Sequence, residues 1–127
     1  MKTVISTAEA PTAVGPYSQA IAAGPFVFCS GQIPLEPDTG ILIEEDVSSQ
    51  TGRVLQNLAA VLRGHGLRME HVVKTTVFMT DLAQFGEMNA EYAKHFPVDP
   101  PARSTIQVAA LPKGANVEIE AIAVKPF

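Results

Sequence analysis

The chain has 127 residues, 46% of them apolar and 17% charged, which is enough to bury one core and predicts a single domain over residues 1–127. Its net charge is −4 and its 9 basic residues are scattered singly, so nucleic acid finds no electrostatic footprint. The lone Cys29 excludes an internal disulfide; the opening Met1-Lys2-Thr3-Val4-Ile5-Ser6 lacks a signal peptide's apolar stretch and no run approaches the roughly 18 apolar residues of a membrane span, so a soluble, cytoplasmic protein is expected.

Strand-like runs come first, Ser18 to Ala22 and Phe26 to Gly31, punctuated by Gly15-Pro16 and Gly24-Pro25 and followed by a loop from Pro34 to Gly40. Val47, Thr51, Val54, Leu55, Leu58, Val61 and Leu62 then recur at helical spacing, with Asp46 placed to cap the start and Gly64 and Gly66 to stop the end. A strand over Val72 to Thr80 leads to a second helix on Phe85, Met88, Tyr92 and Phe96, with Thr80 or Asp81 as cap and Pro97 as stop; Gly86 weakens its first turn. Two strands close the chain, Ser104 to Ala109 and Val117 to Val124, separated by Pro112-Lys113-Gly114. The order predicts an α+β fold, a sheet layered with two helices.

Val72 to Met79 and Ile119 to Val124 carry apolar or small residues on both alternating sets, which implies a sheet covered on both faces. Two helices cover one face only. Another copy of the same chain is the expected cover for the other, so a homo-oligomer is predicted.

Familiar catalytic signatures are missing. The chain has no G-x-G-x-x-G, G-x-x-x-x-G-K-[ST], H-E-x-x-H or G-x-S-x-G. His65, His71 and His95 have no ligand spacing, and no metal site is expected; His95 suits a helix C-terminus as a dipole partner. Cys29, in Phe26-Val27-Phe28-Cys29-Ser30, fits a small buried residue better than a nucleophile, because no neighbouring His or Lys in sequence lowers its pKa.

Two places carry chemistry. Arg103, in Pro101-Ala102-Arg103-Ser104-Thr105, heads a run to Phe127 that otherwise reads as core strand, and a guanidinium in such a setting needs a carboxylate or phosphate. Its partner is either Glu118 or Glu120 on the next strand, or a ligand. Glu118 and Glu120 share one strand face with Ile122 and Val124: they are solvated charges, a structural partner for Arg103, or a partly buried acid that manages a proton on water.

The blocks Gly15-Pro16-Tyr17-Ser18-Gln19-Ala20, Ser30-Gly31-Gln32-Ile33-Pro34, Asn57-Leu58, Val73-Lys74-Thr75-Thr76-Val77-Phe78, Asp81-Leu82, Asn89 with Tyr92, Pro101-Ala102-Arg103-Ser104 and Glu118-Ile119-Glu120-Ala121-Ile122-Ala123, in this order over nearly the whole chain, resemble the Rid family, the reactive intermediate deaminases, of RidA (YjgF) type. That resemblance implies a chorismate-mutase-like single domain, a mixed sheet with two helices on one face, assembled as a homotrimeric barrel with active sites between subunits. It implies hydrolysis of 2-aminoacrylate, through 2-iminopropionate, or of related imino acids to a 2-keto acid and ammonia, without cofactor. By position Arg103 grips the substrate carboxylate, Glu118 handles the attacking water, and Tyr17, Ser30, Gly31, Asn89 and Thr105 line the pocket. Thr105 departs from the cysteine of many members, which removes thiol chemistry there. Tyr17 and Asn89 also have packing readings. A binding module for a 2-keto acid or amino acid, or a chaperone, is the rival function. An endoribonuclease, the family's older name, fits the acidic balance and the unpaired histidines poorly.

Overall fold

The computed structural model describes residues 1–126. Its strands are β1 (Lys2–Ile5), β2 (Ala20–Ala23), β3 (Phe26–Gln32), β4 (Val72–Met79), β5 (Ala102–Gln107) and β6 (Val117–Val124), joined in one sheet of spatial order β1-β2-β3-β6-β4-β5. Every adjacent pair is antiparallel except β4 with β5. A parallel pair needs a crossover, and the helix α2 (Phe85–His95) supplies it.

The first helix, α1 (Val47–Arg63), starts where the sequence places it: the Asp46 carboxylate accepts the Ser49 N–H at 2.8 Å. Its apolar stripe, Val54, Leu55, Leu58, Val61 and Leu62, is fully buried over β6 and β3. Gly66, at φ +74°, turns the chain out of the helix, and the Leu67 N–H reaches the Leu62 carbonyl at 2.9 Å. The second helix begins at Phe85, where its apolar spacing starts, and so later than a cap at Thr80 or Asp81 implies. Asp81 caps a 3-10 turn over Leu82–Gln84, accepting the Ala83 N–H at 2.9 Å, and α2 follows, burying Met88 and Tyr92 against α1.

Five of the six strands differ from the sequence pattern, β4 only in ending at Met79, one residue before Thr80. β1 has no counterpart in it, because three of its four residues are exposed and show no alternation. Ser18 and Gln19 precede β2: Gln19 is buried and its side-chain amide is used by the adjacent loop, accepting from Thr7 N–H at 2.7 Å and donating to the Pro11 carbonyl at 2.8 Å. β3 runs one residue past Gly31, to Gln32. β5 starts directly after Pro101 and ends at Gln107, since its register is set by β4. It is an edge strand with a largely exposed pattern, not the head of a core run; the last residue of that run, Phe127, lies outside the described residues.

Both helices lie on one face. Val27 and Cys29 of β3, Thr75, Val77 and Met79 of β4, and Val117, Ile119, Ala121 and Ala123 of β6 are buried beneath them. The alternate set, Phe26 and Phe28 with Glu118, Glu120, Ile122 and Val124, points the other way. Phe26 and Phe28 remain 45% and 46% exposed, their ring centroids 6.1 Å apart. Among the described residues no helix is long and apolar enough to cross a membrane.

Candidate functional site

Strand register places Arg103 opposite Thr75 of β4, and Thr75 opposite Ala121 of β6. Paired residues share a face, so Arg103 belongs with the buried set, on the helix side. Its guanidinium lies 4.7 Å from the centroid of the Tyr92 ring and 5.4 Å from that of Phe85, within cation–π range of both. The Tyr92 hydroxyl is hydrogen-bonded to Thr75 Oγ1 at 2.7 Å. Burial raises the Tyr92 hydroxyl's pKa, more than the Thr75 bond and the Arg103 charge lower it. Ion pairs among the described residues involve Arg63, Arg68, Lys94 and His95, not Arg103. A cavity of about 400 Å³ adjoins the guanidinium, lined by Asn89, Tyr92, Phe96, Pro100 and Pro101.

Glu118 is built differently. It sits opposite Phe78 of β4, one step out of phase with the buried Val117 and Ile119, and so on the face without helices. Between Cys29 and Gln32 the β3–β6 register shifts, and the bulge brings Gly31 against the Glu118 side chain. A Cβ on Gly31 would collide with the Glu118 carboxylate, so glycine is what admits that carboxylate to its position. Burial raises the Glu118 pKa above the ordinary glutamate value, and the charge of Glu120 adds to the rise.

Ser30, in the same bulge, donates its hydroxyl to the Ser18 carbonyl at 2.6 Å and its N–H to the Gln19 carbonyl at 3.0 Å. It thereby ties the bulge to the segment carrying Tyr17. Tyr17 is 52% exposed and lines, with Gly31, Val14, Ile33, Leu35 and Lys113, a second and largely apolar cavity of about 230 Å³.

The sequence-predicted residues therefore fall into two groups. Arg103 and Asn89 stand at one cavity; Tyr17 and Gly31 line the other, with Ser30 and Glu118 packed at its bulge. Thr105 shares the Arg103 face, opposite Val77, but lines neither cavity. Of the two partners the sequence leaves open for Arg103, Glu118 or Glu120 within the same chain fails for a topological reason. β6 follows β5 in sequence, yet β4 lies between them in the sheet, and the carboxylates point to the opposite face.

Cys29 is buried, and burial pushes its thiol up to about 12, so it carries no thiolate at neutral pH. His95 contacts the Glu91 carboxylate at 3.0 Å and His71 Nδ1 accepts the Arg68 N–H at 2.9 Å. The aromatic support of Arg103 escaped the sequence reading, which assigned Phe85 and Tyr92 to a core stripe. Two aromatic residues seven apart on one helix face are the signal that was available.

The family model described as Endoribonuclease L-PSP matches residues 7–125. The chain is 52% identical over 122 residues to Reactive Intermediate Deaminase A, chloroplastic, of Arabidopsis thaliana, covering 96% of this chain and 65% of that protein. It is 45% identical over 128 residues to the 2-iminobutanoate/2-iminopropanoate deaminase of Mus musculus, covering 100% and 95%. The crystal structure of YyfA from Yersinia pestis, described as a protein of the conserved Rid family, superposes with a TM-score of 0.95 at 50% identity, covering 98% of this chain and 99% of that one.

Proposed function

Because the chain belongs to the endoribonuclease L-PSP family, and within it to the Rid deaminases of RidA type, we propose that it hydrolyses small 2-imino acids, such as 2-iminopropanoate and 2-iminobutanoate, to the 2-oxo acid and ammonia. The observation that carries this reading is Arg103: a guanidinium held on aromatic faces, in no ion pair among the described residues, beside a cavity large enough for a small acid. A planar fork of N–H donors matches a carboxylate bidentately. Holding the carboxylate fixes the adjacent C=N carbon in orientation for attack.

Glu118 takes the proton. As water oxygen bonds to the carbon of the protonated imine, one water proton passes to the Glu118 carboxylate and the C=N electron pair moves onto nitrogen, giving a neutral carbinolamine. Glu118 then returns its proton to the amino group. The C–N bond breaks, ammonia leaves, and the remaining hydroxyl loses its proton to give the keto group. The raised pKa of Glu118 makes its carboxylate the stronger base for the first transfer and its acid form more available for the second. General acid–base assistance of about 10²- to 10⁴-fold is the ordinary yield of such a group.

Arg103 and Glu118 stand on opposite faces of one sheet, so the working site joins Arg103 and Asn89 of one protomer to Tyr17, Ser30, Gly31 and Glu118 of another. The bare apolar face with Phe26 and Phe28 supports assembly through the sheet, as a homotrimer. Generating imino acids with an amino acid oxidase and timing their disappearance tests the activity; a rate no faster than the uncatalysed one excludes it. The ribonuclease in the family's description finds no support in a net charge of −4 with singly scattered basic residues.

A further inference from the structure

We propose that Tyr92 and Phe85 are positioning residues for Arg103, presenting its guanidinium as a flat fork whose N–H donors stay open to a substrate carboxylate; the inference rests on the imino acid reading above. A buried or half-buried arginine is usually held by a carboxylate, which satisfies its charge and occupies its donors together. Aromatic faces do something different. They attract the cation through the ring quadrupole while the N–H groups, which lie in the guanidinium plane, remain unspent.

The platform is itself fixed. Tyr92 is 4% exposed, its ring packs against Phe96 with centroids 4.7 Å apart, and its hydroxyl is tethered to Thr75 at 2.7 Å. Thr75 is the register partner of Arg103. The strand pair that carries the arginine thus also carries the tether of its support, so ring and guanidinium share one rigid frame. Desolvation raises the pKa of the Tyr92 hydroxyl, which keeps a competing phenolate away from the fork. Phe85, in the first turn of α2, adds a second ring at 5.4 Å and is 37% exposed.

The test compares wild type with Tyr92→Phe, Tyr92→Leu, Phe85→Leu and Arg103→Ala, measuring the Kd for 2-oxobutanoate by calorimetry together with kcat and KM for the corresponding imine. Tyr92→Leu is expected to weaken binding and raise KM by about two- to thirtyfold, the range of a cation–π contact, with a smaller change in kcat. Tyr92→Phe keeps the ring and stays within about twofold of wild type by the same measure. Phe85→Leu replaces an exposed ring with a similar apolar bulk, so its folding is secure, and a weaker effect in the same direction is expected. Unchanged affinity in both leucine variants overturns the inference. So does a loss in Tyr92→Phe as large as that in Tyr92→Leu, which would assign the effect to the Thr75 bond. Arg103→Ala separates the two levels: if it abolishes binding while the leucine variants bind as wild type, the positioning role alone falls; if it binds normally, the anchor reading falls with it.

Discussion

Arg103 and Glu118 point away from each other across one sheet. β4 separates their strands, and the register through Thr75 and Ala121 on one side and Phe78 on the other assigns them to opposite faces. Side-chain rotation does not bring a group through a sheet. Chemistry that needs both residues therefore needs two copies of the chain, and each protomer would contribute one half to each of two sites.

Removing the anchor is expected to abolish turnover without unfolding the protein. Arg103 is half-buried on an edge strand, and charge-assisted hydrogen bonds contribute about 1.5–3 kcal/mol each. The loss of two predicts at least a 100-fold fall in kcat/KM for Arg103→Ala, with unchanged circular dichroism. Arg103→Lys should recover part of it, since a point charge lacks the fork. Full activity in the alanine variant would remove Arg103 from the site.

Glu118→Gln should lower turnover by about 10²- to 10⁴-fold while 2-oxobutanoate still binds. Wild-type kcat/KM should rise with pH along an acid limb above the ordinary glutamate value, because the carboxyl must lose its proton to act as base. Glu120→Gln removes one cause of the raised pKa, so the limb should move to lower pH. The stability consequence has a definite sign. A carboxyl whose folded pKa is raised binds its proton more tightly in the native state, so stability falls as pH climbs from the ordinary glutamate value of 4.5 through the folded value. Glu118→Gln should therefore melt higher than wild type at neutral pH, and the gain should vanish below pH 4.5. A pH profile unmoved by Glu120→Gln would contradict the coupling.

Gly31→Ala is expected to cost more activity than stability. The added methyl meets the Glu118 carboxylate, a movable side-chain end and not backbone, so the fold can adjust by turning Glu118 aside. Turnover should fall by about tenfold or more, since misplacing a catalytic group is costly, while binding of 2-oxobutanoate, governed by Arg103, persists. Wild-type turnover in Gly31→Ala would show that the close approach of Gly31 has no bearing on catalysis.

Much of the fold was legible because helical and strand periods are short-range patterns. α1 is an example: Asp46, the apolar stripe and Gly66 specify its start, its buried face and its exit. β1 was not legible, since four residues paired at a sheet edge carry no alternation. Nor was the neighbour of β5. Whether it lies beside β4 or β6 depends on long-range pairing, and sequence adjacency favoured the wrong strand, which is why Glu118 was a candidate partner of Arg103. Arg103, Glu118 and Glu120 stood out by residue type, as charges in strand-like runs, whereas Tyr17, Ser30, Gly31, Asn89 and Thr105 were singled out only through the family resemblance. Nothing local to Gly31 announces that a carboxylate 87 positions further along the chain fills the space of its missing Cβ.

Subunit complementation tests the shared site most directly. Arg103→Ala and Glu118→Gln, each inactive alone, are refolded or co-expressed together so that mixed oligomers form, and imine hydrolysis is measured. In a cyclic oligomer mixed at random in equal amounts, about one site in four pairs an intact Arg103 with an intact Glu118 from different protomers, so activity should return to about a quarter of wild type. Mixed oligomers, verified by mass, that remain as inactive as their parents would contradict a site divided between protomers.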